Sequence, residues 1–99
     1  MSWSGGLASP SRTWRIEITR TAEKQIQKLN RAAQELIIQF LRKRAQTADN
    51  PRQLGTPLHG DQGGLWRYRV GDYRLICDIQ DERITVLVVR VGHRKDVYR

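Results

Sequence analysis

The sequence of 99 residues contains a single cysteine, Cys77, and no run of 18 or more apolar residues. One cysteine excludes an internal disulfide and a cysteine-based zinc cluster, and the lack of a long apolar run excludes a membrane-spanning helix. The first residues carry neither the charged nor the apolar region of a secretory signal. We therefore expect a cytoplasmic protein with no membrane partner.

Several signatures of catalysis are also missing. No glycine-rich phosphate loop and no strand–GxGxxG–helix unit is present, and no nucleophile elbow surrounds a serine. The two histidines and the one cysteine do not have the spacing of metal ligands. We expect neither a metal nor a small-molecule cofactor.

Acidic residues are scarce, since 10 Asp and Glu face 18 Lys and Arg, for a net charge of +8. Fourteen of the basic residues are arginines and only 4 are lysines. Arginine presents a planar fork of donors that fits phosphate and stacks on bases. The balance favours a nucleic-acid or ribosomal partner, against the simpler interpretation that charge only keeps the protein soluble.

The beginning of the chain is rich in Gly and Ser, and we expect residues 1–13 to form a flexible tail before one domain over residues 14–99. A short strand follows, in which apolar residues alternate with polar ones: Trp14, Ile16 and Ile18. Thr19 or Thr21 can cap the next helix. That helix buries Ala22, Ile26 and Leu29 and ends at Asn30.

A second helix is predicted from Arg31 to Thr47. Its apolar stripe has helical spacing and consists of Ala33, Leu36, Ile37, Phe40 and Leu41. The short connection predicts an antiparallel helical hairpin. Residues 51–64 have many glycines and few apolar residues, and this composition predicts a loop.

Three strands are predicted next, at Leu65–Val70, Tyr73–Gln80 and Ile84–Val91. Gly71-Asp72 and Asp81-Glu82 form the connecting turns. The last strand is apolar on both faces, which is typical of a covered strand. The whole chain therefore predicts a compact α+β domain, β-α-α-β-β-β, with a helical hairpin on a mainly antiparallel sheet.

The arginines of the late strands have a pattern of their own. Alternation places Arg67 and Arg69 on one face, about 6–7 Å apart along the strand, and Arg74 can join them across the turn. Trp66, Tyr68 and Val70 then point towards the helices. Clustered like charges cost folding energy, so the cluster suggests a function. The alternative is a set of solvated arginines paired with Asp72 or Asp78.

The end of the chain adds proton carriers and more cations: His93, Arg94, Lys95, Tyr98 and Arg99. Histidine titrates near neutrality, and cations around a phenol favour its ionised form. We expect these groups to meet the strand arginines on one face.

Two stretches resemble the RelE branch of the RelE/ParE toxin superfamily. They are Gly64-Leu65-Trp66-Arg67-Tyr68-Arg69-Val70-Gly71-Asp72-Tyr73-Arg74-Leu75-Ile76 and Arg90-Val91-Gly92-His93-Arg94-Lys95-Asp96-Val97-Tyr98-Arg99. Leu58-His59-Gly60 fits the loop before the family's second strand. The resemblance runs from about Trp14 to Arg99 and follows the predicted order of elements.

This resemblance implies a microbial-RNase-like fold and the role of toxin in a type II toxin–antitoxin system. RelE-type toxins enter the A site of the 30S subunit and cut mRNA there, and a cognate antitoxin neutralises them. The basic positions of the family match Arg67, Arg69, Arg74 and Arg94, and its C-terminal tyrosine matches Tyr98. The best-known members carry lysines in the strand, where this chain has arginines, and arginine is a poor general base.

RNA cleavage without metal requires attack of the 2′-OH on the adjacent phosphorus. We expect the arginines to stabilise the phosphorane and Tyr98 or His93 to accept the 2′ proton, with the other of the two or Arg94 protonating the leaving oxygen. The expected catalytic residues are Arg69, Arg74, His93, Arg94 and Tyr98. The expected RNA-binding residues are Arg67, Arg69, Lys95 and Arg99.

Two other functions fit parts of the sequence. A ParE-like toxin would share the fold and inhibit DNA gyrase without cutting RNA. A plain basic RNA-binding domain would place aromatic residues on its surface for stacking, whereas Trp14, Trp66 and Tyr68 fall on the core side here. The set of Arg, His and Tyr favours the ribosome-dependent endoribonuclease.

Overall fold

The computed structural model describes residues 13–58 and 64–93. The strands are β1 (Arg15–Ile18), β2 (Thr56–Pro57), β3 (Leu65–Val70), β4 (Tyr73–Gln80) and β5 (Thr85–His93), and the helices are α1 (Arg20–Gln27) and α2 (Arg31–Phe40). A π-helical turn spans Leu41–Ala45, and 3-10 turns span Pro51–Leu54 and Asp81–Arg83. All but the last residue of the expected tail lies outside the described residues.

The sheet has five strands in the order β1-β5-β4-β3-β2. The β1–β5 pair is parallel, and the pairs β5–β4, β4–β3 and β3–β2 are antiparallel. The α+β class, with two helices on a mainly antiparallel sheet, is confirmed. Every predicted strand is present, and the sheet places the start of β4 and the end of β5 side by side.

Each of the two helices begins at a residue whose side chain caps its first turn. The Thr19 hydroxyl accepts a hydrogen bond from the Ala22 amide at 3.1 Å, and the Asn30 side chain accepts one from the Ala33 amide at 2.8 Å. Both caps occupy amides that the first helical turn leaves without a partner. The Gln34 side chain also donates to the Leu29 carbonyl at 2.9 Å, and this bond ties α2 to the end of α1.

The second helix is shorter than predicted, and its buried face does not include every residue of the predicted apolar stripe. Regular α-helix ends at Phe40 and widens into the π-helical turn, in which Leu41 and Ala45 are both buried. The wider turn keeps these two side chains on the core while the cations between them remain exposed. Leu36 was expected in the stripe, but it is 45% exposed because it flanks the buried row.

Residues 51–64 were predicted as a loop, and this is wrong for residues 51–57. Tyr68 donates from its hydroxyl to the Pro51 carbonyl at 2.9 Å, which anchors the 3-10 turn on the sheet. A Cβ at Gly55 would lie 2.5 Å from the Arg67 carbonyl oxygen and 2.6 Å from the Tyr68 ring. Glycine therefore lets this segment approach β3 closely enough to pair with it as β2.

A bulge interrupts β5 at Val89. The neighbours of Cys77 and Ile76 on β5 are Val88 and Arg90, so Val89 has no partner across the pair. Because side chains alternate along a strand, one extra residue exchanges the two faces for everything that follows it. Val86 and Val88 before the bulge and Val91 after it all lie in the core.

The core lies between the helices and one face of the sheet, here called the helix face. Its largest fully buried side chains include Tyr68, Ile37, Leu41 and Leu75. Cys77 is buried among them, and the burial raises the pKa of its thiol. Among the described residues, no helix has the length and apolar character needed to cross a membrane.

Candidate active site

The other face of the sheet carries arginines on adjacent strands. Arg67 and Arg69 alternate with the buried Tyr68 along β3, and Arg69 lies directly opposite Arg74 of β4. Trp66, Tyr68 and Val70 pack with the core on the helix face. This placement agrees with the alternation in the sequence, and it puts two guanidinium side chains on directly opposed positions of a β-hairpin.

A fourth arginine, Arg90 of β5, joins this face. Arg90 pairs with Ile76, which in turn pairs with Arg67, so that the three residues form one row across three strands. The sequence did not single out Arg90, because without the bulge it would share the face of Val88. We call Arg67, Arg69, Arg74 and Arg90 the arginine face.

These four side chains differ in exposure. Arg69 is exposed, Arg67 and Arg90 are half-buried, and Arg74 is 8% exposed. Ile76 lies between Arg67 and Arg90 and is almost completely buried. The stems of long basic side chains cover apolar surface while their heads stay near water. Ile76 therefore forms an apolar floor beneath cationic groups.

The buried guanidinium of Arg74 is held by the turn between β3 and β4. Its Nη1 donates to the Gly71 carbonyl at 3.2 Å and to the Tyr73 carbonyl at 3.0 Å. Gly71 adopts a φ of +61°, which favours glycine in this two-residue turn. The alternative of a solvated Arg74 is wrong, because the turn orients the side chain. Such a fixed cation suits the stabilisation of developing negative charge.

His93 lies on the opposite side of the sheet from the arginine face. It pairs with Tyr73, which pairs with Val70 on the helix face, and the Tyr73 and His93 rings meet edge to face at 6.0 Å. We expected His93 beside the arginines, and this placement is wrong. The bulge at Val89 is the cause, because it moves Arg90 onto the arginine face and His93 off it.

The remaining expected site residues are Arg94, Lys95, Tyr98 and Arg99, and they lie outside the described residues. Two buried groups inside the described part cannot replace them as bases. Burial raises the pKa of the Tyr68 phenol, whose hydroxyl is bonded to Pro51, and burial likewise raises that of Cys77. Both therefore stay protonated at neutral pH and belong to the core.

Within residues 13–58 and 64–93 no group of three or more His, Cys, Asp or Glu side chains is arranged to hold a metal ion. The arginine face instead offers permanent cations on a rigid sheet. Guanidinium groups bind phosphate through paired donors. This arrangement can bind a polyanion and can stabilise a phosphorane, but it does not supply a proton acceptor.

Comparison with known proteins decides the family. The sequence profile described as "ParE toxin of type II toxin-antitoxin system, parDE" matches residues 16–98. The chain belongs to the RelE/ParE family of type II toxins. Among curated relatives, Toxin RelG of Mycobacterium tuberculosis is 33% identical over 84 residues, which cover 85% of this chain and 94% of that protein. Toxin RelE of the same organism is 31% identical over 91 residues, with 92% of each chain covered.

Solved structures agree with this assignment. The toxin–antitoxin complex RelBE2 of Mycobacterium tuberculosis superposes with a TM-score of 0.78 at 30% identity, covering 86% of this toxin and 95% of that chain. The isolated RelE toxin of Escherichia coli gives a TM-score of 0.65 at 23% identity, with 81% and 83% covered. The second likeness concerns the fold alone. The resemblance read from the sequence is confirmed at the level of the superfamily.

Proposed function

We propose that this toxin is a ribosome-dependent, metal-independent endoribonuclease that cuts mRNA in the A site of the 30S subunit. The observation that carries the proposal is the arginine face, where four guanidinium side chains share two neighbouring rows of one sheet. The scissile phosphate of the bound mRNA would lie over Ile76, within reach of these cations. The names of the curated relatives, Toxin RelG and Toxin RelE, support the same branch.

In the proposed reaction the 2′ oxygen attacks the neighbouring phosphorus and the bond to the 5′ oxygen breaks. The products are a 2′,3′-cyclic phosphate and a free 5′-OH. Arg69, Arg74 and Arg90 stabilise the negative charge of the phosphorane. Tyr98 accepts the 2′ proton as a phenolate and becomes a neutral phenol, since His93 faces the helices. Arg94 donates a proton to the leaving 5′ oxygen and regains one from solvent.

Dependence on the ribosome follows from the composition of the site. The arginine face lacks a strong general base, because guanidinium groups keep their protons at neutral pH. Orientation of the 2′-OH in line with the leaving oxygen can supply what acid–base chemistry does not. The ribosome would hold the message in this geometry, while Arg67, Lys95 and Arg99 bind the RNA backbone.

We also infer that the toxin is held inactive by a cognate antitoxin protein. The RelBE2 structure from Mycobacterium tuberculosis is a toxin–antitoxin complex, and so is the intact RelBE structure from Escherichia coli. A chain of net charge +8 attracts an acidic partner. Such a partner would keep the cations from RNA until it is removed.

Primer extension on a message bound to purified ribosomes tests the nuclease. The purified toxin should produce cuts at the A-site codon in buffer that holds only the Mg²⁺ needed by intact ribosomes, with no added transition metal, and should leave the same message uncut when ribosomes are omitted. Absence of cleavage on programmed ribosomes would contradict the proposal.

Inhibition of DNA gyrase is the second candidate, because the family profile that matches this chain is named after the ParE toxin, and a ParE-like toxin would inhibit gyrase. A supercoiling assay with purified gyrase separates the two functions. The nuclease hypothesis predicts full gyrase activity at toxin concentrations that cut the ribosome-bound message. Trapped gyrase–DNA cleavage complexes together with intact mRNA would establish the second function instead.

A further inference from the structure

A groove lies where α2 and the π-helical turn face the turn between β3 and β4. Its volume is about 340 Å³, and its lining consists of Leu36, Gln39, Phe40, Lys43, Arg44, Arg69, Val70 and Gly71. It opens on the flank of the molecule, beside the arginine face, and shares only Arg69 with it.

The floor of the groove is apolar. Leu36 is 45% exposed, which is high for a leucine on a helix that packs against a core. Phe40 and Val70 continue the floor into the core, and the Phe40 ring contacts the Tyr68 ring at 5.2 Å between centroids. Burial of this exposed leucine by a partner would lower the free energy of the complex, which is typical of a protein-binding site.

The rim of the groove is cationic. Lys43, Arg44 and Arg69 are all exposed, and the Arg44 guanidinium carbon lies 5.7 Å from the centre of the Phe40 ring. This contact holds a charge above the apolar floor. On the side of β3 away from β4, β2 pairs only with Trp66 and Arg67, so within residues 13–58 and 64–93 no strand covers that side of β3 at Arg69.

We propose that this groove is a docking site for an acidic segment of the cognate antitoxin. An apolar side chain of that segment inserts between Leu36 and Phe40, and its carboxylates pair with Lys43, Arg44 and Arg69. The proposal rests on the inferred antitoxin partner of this toxin and adds the place and chemistry of the contact. Charge complementarity selects an acidic segment over a neutral one.

The C-terminal segment of the toxin itself is a poor occupant of the groove. Residues 94–99 contain three basic residues and one aspartate, so they would bring a net positive charge to a rim of three cations. RNA would satisfy the rim but would leave the apolar floor without a matching surface. The combination of an apolar floor and a cationic rim therefore fits an amphipathic acidic peptide.

Isothermal titration of the toxin with the protein encoded by the adjacent gene tests the proposal. The chain offers two matched pairs of variants on the same helical segment. Leu36→Asp changes the groove, whereas Ile38→Asp changes the other large apolar side chain that α2 exposes, which lies outside the groove. Arg44→Glu changes the rim, whereas Arg42→Glu places the same charge change on an exposed arginine outside the lining.

We expect Leu36→Asp and Arg44→Glu to weaken antitoxin binding by about 30-fold or more, and their two controls by less than about threefold, in line with the cost of losing a central apolar anchor or a desolvated charge pair. Circular dichroism melting curves establish that each variant is folded. If Leu36→Asp unfolds, the Arg44→Glu and Arg42→Glu pair still gives the answer.

Equal affinity in all four variants, or no binding of the adjacent protein to the wild type, would overturn the proposal. So would an Arg44→Glu variant that loses affinity for ribosomes and keeps its affinity for the antitoxin, since the groove would then contact RNA. Message cleavage by the free variants is measured in parallel. A wild type that binds the antitoxin but cuts no message would contradict the nuclease and leave the docking site standing.

Discussion

The two ends of the sheet use arginine in different ways. At the end formed by the turn between β4 and β5, Arg52 donates to both carboxylate oxygens of Asp81, at 2.9 and 2.8 Å, and Arg83 lies 3.2 Å from Glu17. At the end formed by the turn between β3 and β4, Arg69 lies opposite Arg74. The ends are about 23 Å apart, at about 3.3 Å per residue.

The difference shows which arginines serve the fold. A guanidinium paired with a carboxylate can join two segments of the chain. The pair of Arg52 and Asp81 connects the 3-10 turn at Pro51–Leu54 to the end of β4. The hydrogen bond to Asp81 also raises the pKa of Arg52. Opposed arginines bring like charges together and destabilise the hairpin. This cost supports the proposed role of that end of the sheet in binding an anion.

The largest effect should come from a charge placed on the helix face of β5 after the bulge. Val91 is 2% exposed, and an unpaired buried charge costs about 3–5 kcal/mol. We expect Val91→Asp to be unfolded at 37 °C, as measured by circular dichroism. Deletion of Val89 removes only the unpaired residue and leaves Arg90 opposite Ile76, so this variant should stay folded. A folded Val91→Asp variant would show that β5 does not turn this position towards the core.

Arg90 is the residue of the arginine face that only the structure identifies. Arg90→Ala should lower the rate of message cleavage on ribosomes by about tenfold to 100-fold, less than the loss of a single dedicated donor, because the neighbouring arginines remain. Its melting temperature should not fall by more than a few degrees. Arg90→Lys should recover part of the rate. Full activity of Arg90→Ala would remove this residue from the site.

Gly55 directly precedes β2, the strand at one edge of the sheet, and a substitution there tests whether close contact with β3 is needed for that strand to pair. Gly55→Ala places a Cβ against the Arg67 carbonyl and the Tyr68 ring, at separations below 3 Å. We expect a loss of about 1–3 kcal/mol in the free energy of unfolding, as for other overpacked sites. Urea denaturation measures it, with Gly64→Ala as a control that meets no atom within 4 Å. Gly64 has a φ of +89°, so this control carries only backbone strain.

Alkaline pH should lower the free energy of unfolding, because two buried groups of the core must stay protonated. Burial raises the folded-state pKa of Cys77 above its ordinary value of 9.0 and that of Tyr68 above 10.0. The stability from these protonated groups is complete below the unfolded pKa and is lost as the pH rises towards the folded one. Urea midpoints should therefore fall above about pH 9, and less steeply in Tyr68→Phe. A flat profile in the wild type would contradict this account.

The smallest effect is expected at the paired end. Arg52→Ala removes a partly exposed bidentate ion pair, which is worth about 1 kcal/mol or less. The melting temperature should fall by a few degrees, and the fall should shrink in high salt. Message cleavage should stay within about twofold of the wild type. A cleavage defect without a stability defect would erase the distinction between the two ends.

Local patterns in the sequence were enough for most of the fold. Alternation located β3 and β4 and placed Arg67, Arg69 and Arg74 on one face. Thr19 was one of the two expected caps of the first helix, and Asn30, expected to end that helix, also caps the second. These signals depend only on neighbours in the chain. The first of the two stretches that resemble the superfamily, residues 64–76, lies on β3, the turn after it and the first half of β4, so the same local signals carry that part of the resemblance.

The errors arose where distant contacts decide the outcome. The strand β2 depends on the space that Gly55 leaves beside Tyr68, and a local composition rich in glycine predicts a loop. The exchange of Arg90 and His93 depends on the bulge at Val89, which an apolar run such as Val86–Val89 does not reveal. The candidate site therefore gained one arginine and lost one histidine.

The decisive measurement is the single-turnover rate of message cleavage on programmed ribosomes for Arg69→Ala and Arg83→Ala. Both variants remove one exposed arginine from the same sheet or its turns. We predict that Arg69→Ala lowers the rate by about 100-fold or more, while Arg83→Ala, at the paired end, leaves it within about twofold. Equal rates for the two variants would contradict the assignment of the arginine face as the site of cleavage.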